Sequence, residues 1–215
     1  MRLLFLAPVT AVTAVLVSLT ACTTMTAEQC VAADWQAIGF EDAMKGRAAG
    51  NVTQHASACA DHSVAPDMTA YATGHANGAR AFCTPDNGFK HGLSGGTNHN
   101  ICPDDLSNAF SVTYEAGRGL RTRKQAVATA KNDLTTIERR MQRLENDFTH
   151  NENVLATLNL KPADRAKVQA DVNTARNEHQ RLSKQRKRAQ EKLVRTQRDH
   201  DTYRSEIEAR FFTGS

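Results

Sequence analysis

Leu155-Ala156-Thr157-Leu158-Asn159-Leu160-Lys161-Pro162-Ala163-Asp164 is the stretch on which the fold turns. Proline lacks a backbone N–H and disfavours helix in the residue before it, so a helix arriving here must stop. On its N-terminal side, Leu120, Val127, Ala130, Leu134, Ile137, Met141, Leu144, Phe148, Leu155 and Leu158 recur at intervals of three, four and seven. That is the spacing of a coiled-coil seam. On its C-terminal side a weaker series follows: Val168, Val172, Ala175, Leu182, Ala189, Leu193, Tyr203 and Ile207, with His179, Arg186, Thr196 and His200 in polar slots of the same register. Two seams of similar length joined by a short break fold most simply as an antiparallel pair. A turn near Leu160 sets Leu155 opposite Val168, Phe148 opposite Ala175, Met141 opposite Leu182 and Leu134 opposite Ala189. Large then faces small at several layers, as close packing requires. At 1.5 Å per residue the arm from Arg118 to Leu158 is about 60 Å long. The expected hairpin covers 118–215, and its polar second seam is suited to completion by another copy or a partner.

Upstream, short helical patterns rich in Gly, Asn and Asp replace the long seams. Ala32 to Arg47 reads as an amphipathic helix with Trp35, Ile38, Ala43 and Met44 near one face, and Val52 to Ala60 as another. Pro66-Asp67 suits the opening of a third, running to about Phe82. Thr84-Pro85-Asp86-Asn87-Gly88 reads as a turn, and Gly92 to Asn100 as irregular. A faint repeat runs through this part: Phe40, Tyr71, Phe89 and Tyr114 are each followed three residues later by Ala43, Gly74, Gly92 and Gly117. A small residue beside a ring on one helix face lets a second backbone approach, which points to helix packing rather than to a ligand repeat. Asp104-Asp105 then supplies acid for the first turn of a long helix.

Cys30, Cys59, Cys83 and Cys102 all fall within this part. An even number in one segment of an exported chain implies two disulfides, of three possible connectivities. The shorter loops, Cys30–Cys59 and Cys83–Cys102, are the preferred pairing, although spacing alone leaves the choice open. No cysteine spacing suits zinc. The fold class expected is mainly α: a small disulfide-stapled helical domain at 30–117, followed by the antiparallel coiled-coil hairpin.

The N-terminal residues carry an address. Met1-Arg2, an apolar run from Leu3 to Leu19 and then Thr20-Ala21-Cys22 have the charge, hydrophobicity and small residues of an export signal. The run approaches the roughly 20 residues that span a bilayer, but Leu19-Thr20-Ala21-Cys22 resembles the lipobox of bacterial lipoprotein signals. That resemblance implies cleavage of 1–21 and lipidation at Cys22, with 22–29 as a tether. Two or more acyl chains hold a protein stably on a membrane. Thr23 rather than Asp after the cysteine is similar to cargo sorted to the outer membrane, facing the periplasm.

Charge is split. Residues 22–117 hold four Lys/Arg against ten Asp/Glu, and residues 118–215 hold 22 against 13. Arg181, Lys184, Arg186, Lys187, Arg188, Lys192, Arg195 and Arg198 crowd one stretch. Such a run is most simply a solvated face with acidic partners on the opposite arm. Envelope anions are its next reading; nucleic acid is not expected as a partner of an exported chain without a base-reading fold.

Candidate chemistry is thin. His55, His62, His75, His91 and His99 could supply metal ligands, but a site needs three or four that converge, and no metal or other cofactor is expected. Asp34, Glu41 and Asp42 lie near Trp35, yet Asp34 and Glu41 are about 10.5 Å apart by helical rise, with no cleft to argue for a glycosidase. Ser57, Ser63, Ser94 and Ser107 lack a nucleophile-elbow pattern, and Gly92 to Gly96 lacks the Lys-Ser/Thr and helix of a phosphate loop.

Several of these residues together resemble a family. Asp34-Trp35-x-x-Ile38-Gly39-x-x-Asp42 with Gly46-Arg47, Cys59, Tyr71-x-x-Gly74-x-x-x-Gly78, Phe82-Cys83-Thr84-Pro85-x-Asn87-Gly88-Phe89-x-x-Gly92, Cys102-Pro103 and Tyr114-x-x-Gly117 are similar to the uncharacterised proteobacterial lipoprotein family called domain of unknown function 2799. The resemblance covers about residues 30 to 118 and implies a lipoprotein with a cysteine-bearing domain and a helical tail. Ala43 departs from an expected glycine and Asn98 from an expected aromatic. No activity is implied. The reading that follows is a non-enzymatic envelope lipoprotein, membrane-bound through its lipid anchor, whose hairpin engages an envelope protein or cell-wall partner, with oligomerisation open. The alternative is a periplasmic ligand- or metal-binding module using the His- and Gly-rich N-terminal domain.

Overall fold

The computed structural model describes residues 25–157 and 159–211. The signal-like run, Cys22 and Leu158 lie outside the described residues. Seven α-helices follow one another: α1 (Ala27–Val31), α2 (Trp35–Met44), α3 (Val52–Ala60), α4 (Met68–Phe82), α5 (Pro85–Ser94), α6 (Asp104–Thr157) and α7 (Pro162–Phe211). A single 3-10 turn, Ala49–Asn51, precedes α3.

Side-chain caps set the short helices. Thr26, Asp34, Asp67 and Thr84 each accept a backbone N–H from the first turn of the helix they precede, satisfying donors that no earlier carbonyl can reach. Three expectations change accordingly. The helix expected from Ala32 begins at Trp35, because Asp34 bonds the Ala37 amide at 3.0 Å. Pro66 precedes the Asp67 cap instead of opening the first turn. Thr84 to Gly88, expected as a turn, starts α5 with Thr84 as cap and Pro85 in the first turn. A Thr-Pro-Asp sequence suits both a turn and a helix start; packing of Gly88 and Gly92 on α6 selects the helix. Gly95, at φ 87°, ends α5 in the left-handed region, so the irregular segment expected from Gly92 begins only here and Gly92 to Ser94 are helical.

Residues 30–117 form two helix-pair modules of like plan. In the first, α2 crosses α4 with backbones nearly touching: a Cβ on Gly39 would overlap the Tyr71 carbonyl, and one on Gly74 the Gln36 carbonyl. In the second, α5 crosses α6 in the same way, Gly92 against the Tyr114 carbonyl and Gly117 against that of Phe89. The sequence repeats in step. Cys30 and Gly39 are spaced as Cys83 and Gly92, and Cys59 and Tyr71 as Cys102 and Tyr114. Each module is closed by its own disulfide, Cys30–Cys59 and Cys83–Cys102. The repeat read from sequence therefore holds for the two tyrosine helices but shifts in the first: the counterpart of Phe89-x-x-Gly92 is Gln36-x-x-Gly39. Phe40 is 40% exposed, while the neighbouring Ala43 is fully buried.

Two small cores result. Trp35, Val52 and Tyr71 pack on the first disulfide, and Phe82, Phe110 and Tyr114 on the second. Gly46 presses against the rings of Phe82 and His91, joining the modules, and Arg80 makes a bidentate pair with Asp105 at 2.6 and 3.2 Å.

The hairpin forms as expected. α6 runs unbroken from the second module into the arm, and α7 packs back along it. Met141 and Leu182 are buried in its middle, with Ala130, Val172, Ala189 and Ile207 along the seam. Cross-arm pairs Arg123–Asp199, Asp133–Lys192 and Arg140–Glu178 fall close to the expected register. Arg186 is exposed and leaves the seam slot expected of it. At the turn, Arg165 donates to the Leu155 carbonyl at 3.2 Å, satisfying an acceptor at the end of α6. At the base, the Arg123 guanidinium stacks 3.8 Å from the Tyr203 ring, and the Tyr203 hydroxyl donates to the Ala116 carbonyl at 3.4 Å. No described helix is long and apolar enough to cross a membrane.

Candidate functional site

Burial of a charge needs compensation, and among the described residues Asp42 is the buried carboxylate. The last turn of α2 points Asp42 inward, with its side chain 3% exposed. Asn51 Nδ2 reaches it at 2.6 Å, His55 Nε2 at 2.8 Å, the Tyr71 hydroxyl at 2.9 Å and Arg47 Nη1 at 3.2 Å. Burial alone would raise the Asp42 carboxyl; the bonds from Asn51, His55 and Tyr71 outweigh it and hold the group below its usual range. Tyr71 moves the other way, pushed up first by burial and then by its bond to Asp42. The Trp35 ring stands edge-on to His55, 6.5 Å between centroids.

The function of this cluster is legible from its position. The first module has ten more residues than the second between its cysteine helix and its tyrosine helix, and α3 is contained in that insert. Asp42 sits where the second module has Gly95 in the matched register. Donors from the loop, α3 and α4 all converge on it, so the carboxylate acts as a buried post that fastens the insert. Asn51, His55 and Tyr71 each turn a polar side-chain atom onto the carboxylate, and half-exposed Arg47 adds one of its N–H groups. Of the three carboxylates near Trp35 in sequence, Asp34 caps α2, Glu41 pairs with Lys45 on the surface at 3.2 Å, and Asp42 enters the core.

The histidines are dispersed in the same way. His75 Nε2 lies 2.8 Å from the Arg47 carbonyl and His91 Nε2 lies 3.0 Å from the Thr97 carbonyl. α3 ends at Ala60, and His62 falls in the turn beyond it. Among the described residues no group of three or more His, Cys, Asp or Glu converges. Ser94 and Ser107 donate to carbonyls three residues back at 2.9 and 3.3 Å. What sequence reasoning missed is a groove of about 490 Å³ between the modules, floored by Ala72, Ala76 and Ala79 of α4 and rimmed by His75, His99 and Ile101. The alanine spacing on α4 was the available signal, but the opposite wall comes from a segment more than 20 residues away.

The basic stretch is the remaining feature. All eight cations lie on α7, and Glu191 is the one acid among residues 181–198. Arg181 pairs with Glu178 on its own helix, and Lys192 pairs with Asp133 across the arms at 2.9 Å. The expected acidic partners on the opposite arm are thus present for Lys192 alone.

The two glycine-crossed modules, their disulfides and the start of α6 coincide with the stretch whose motifs resembled a known family. Residues 34–119 match the family model described as protein of unknown function, DUF2799. No curated protein and no solved structure matches the chain. The DUF2799 match begins at the Asp34 cap and ends two residues after Gly117, where α6 leaves the second module. It therefore covers the glycine crossings of both modules, without α1 and Cys30 and without the arm.

Proposed function

We propose that the protein is a non-enzymatic cell-envelope lipoprotein, held in the outer membrane facing the periplasm by lipid on Cys22, which uses its stapled modules as a base and its hairpin as an interaction arm. The observation that carries this reading is the continuity of α6. One 54-residue helix forms half of the second module and then half of the arm, so base and arm are mechanically one body. At 1.5 Å per residue that helix is about 80 Å long, far beyond what the two small cores need. A trough of about 520 Å³ also lies along the arm, lined by Leu144 and Ala175 together with Arg140, Asp147, His150, Asp171 and Glu178, a mixed apolar and charged face suited to a further helix from a partner or a second copy. Buried acid and base groups in the modules satisfy one another, which favours a structural role over catalysis.

The test has two parts. Fractionation of cells making Cys22→Ser should show loss of membrane attachment; unchanged attachment overturns the anchor. Crosslinking from the arm in cells should give an adduct that disappears when Met141 and Leu182 are both changed to Asp, while the modules stay folded by Trp35 fluorescence. An adduct that survives the double change overturns the arm. The alternative, a small-ligand or metal module, has the groove between α4 and the His99 segment in its favour. Stoichiometric uptake of zinc or copper, lost on His99→Ala, would support it over the arm.

A further inference from the structure

We infer that the outward face of α7 between Lys184 and Arg198 is a docking surface for an anionic phospholipid membrane, laying the hairpin along the bilayer. This rests on the lipid-anchor reading and extends it. An α-helix turns about 100° per residue. Counted from Leu182 and Ala189, which are buried in the seam, Lys184, Lys187, Arg188, Arg195 and Arg198 fall on the opposite side, and all five are exposed. None is in an ion pair with another described residue. The contrast with the modules is sharp, because all four of their cations, Lys45, Arg47, Arg80 and Lys90, are paired with acids. Glu191 falls on the same face between Arg188 and Arg195, so five cations against one acid leave a net charge of +4 along a row about 21 Å long, a positive potential that attracts an external anion.

The shape of the row selects among anions. A flat sheet of phosphate headgroups touches every side chain on one face of a straight helix at once. Nucleic acid offers phosphate too, but residues 181–198 contain no aromatic side chain on which a base could stack. A second copy of the chain is the other nearby source of acid, since its modules are net negative. Its carboxylates are largely committed, however: Asp42 is buried, Asp34 and Asp67 cap helices, and Glu41, Asp86, Asp105 and Glu115 already hold cations. The membrane is the partner that remains. One lipid anchor site together with a basic face gives two membrane signals, the usual basis of stable peripheral attachment.

The full acylated chain provides the test. Its other cysteines are lipidated or disulfide-bonded, so Val194→Cys, at an exposed position on this side of α7, introduces a single free thiol for a fluorophore. The labelled protein is reconstituted into vesicles of phosphatidylcholine alone or with phosphatidylglycerol, each carrying spin-labelled headgroups that quench only at contact range. Quenching is expected on the anionic vesicles at 0.1 M salt and not on the neutral ones, and it should vanish near 1 M, where the screening length falls to about 3 Å. Arg195→Gln should weaken surface occupancy about fivefold, the equivalent of about 1 kcal/mol per cation. Changing all five cations to Gln should abolish the difference between vesicles, with helix content unchanged because every position is exposed. Equal quenching on both vesicles, quenching that survives high salt or the fivefold change, or removal of the arm from the surface by duplex DNA at equal phosphate concentration would overturn the inference. Failure of the anchor reading is distinguishable, since an unacylated chain would not co-float with neutral vesicles at all.

Discussion

Gly39→Ala isolates the close crossing of α2 and α4. The new Cβ would overlap the Tyr71 carbonyl, stand 2.9 Å from the His75 amide nitrogen and 3.0 Å from the Tyr71 carbonyl carbon. All three are backbone atoms of α4, whose Tyr71 packs on the Cys30–Cys59 core and bonds Asp42, so no side chain can swing aside. Overpacking of this kind costs about 1–3 kcal/mol, and backbone on both sides puts it at the upper end, about 3. Alanine recovers about 1 kcal/mol of helix propensity, leaving a net loss of about 2. Gly50→Ala is the control. It has nothing within 4 Å and no left-handed φ, so it should be neutral or gain about 0.4–1 kcal/mol through the unfolded chain. Trp35, the chain's sole tryptophan, sits one turn before Gly39 and reports on this module alone. In urea, with a slope of about 1 kcal/mol per M for a small module, Gly39→Ala should lower the fluorescence midpoint by about 2 M. A midpoint within about 0.5 M of the parent, or an equal fall in Gly50→Ala, would refute the reasoning.

Two further outcomes follow from the same structure. Asp42 has a depressed folded-state pKa, so its contribution is complete above the unfolded value near 4 and is lost as pH falls through the lower folded value. Trp35-detected stability should decline on acidification below about pH 4, and Asp42→Asn should remove part of that decline; identical slopes in parent and variant contradict the post. Peptide mapping of the oxidised protein should recover Cys30 with Cys59 and Cys83 with Cys102. Closing loops of 29 and 19 residues, each bond should contribute about 3–4 kcal/mol in the chain-entropy account, read as a drop in urea midpoint on Cys30→Ser/Cys59→Ser, and a Cys30–Cys83 peptide would refute the two-module plan.

Periodicity and a helix breaker are local signals, and what they specify is local. The three-four-seven spacing from Leu120 to Leu155, its interruption at Pro162 and its return from Val168 determined two long helices and an antiparallel pairing, because a side chain's face on a helix follows from its position in the chain. The caps at Asp67 and Thr84 were likewise present in the letters, although Thr-Pro-Asp suits a turn as well as a helix start. The tertiary structure decided what depends on distant chain segments meeting. It aligned Cys30-x8-Gly39 with Cys83-x8-Gly92 only once Gly39 and Gly92 were each seen against a tyrosine carbonyl of the facing helix, whereas the sequence suggested Ala43, three residues after Phe40, in that role. It chose one of three disulfide connectivities, since spacing does not report which sulfurs approach. It also sent Asp42 inward and left Asp34 and Glu41 outside, because burial of a carboxylate depends on donors such as Tyr71 that lie 29 residues away. Sequence settled where helices run; only packing settled which charges are satisfied and which, on the outer face of α7, face solvent.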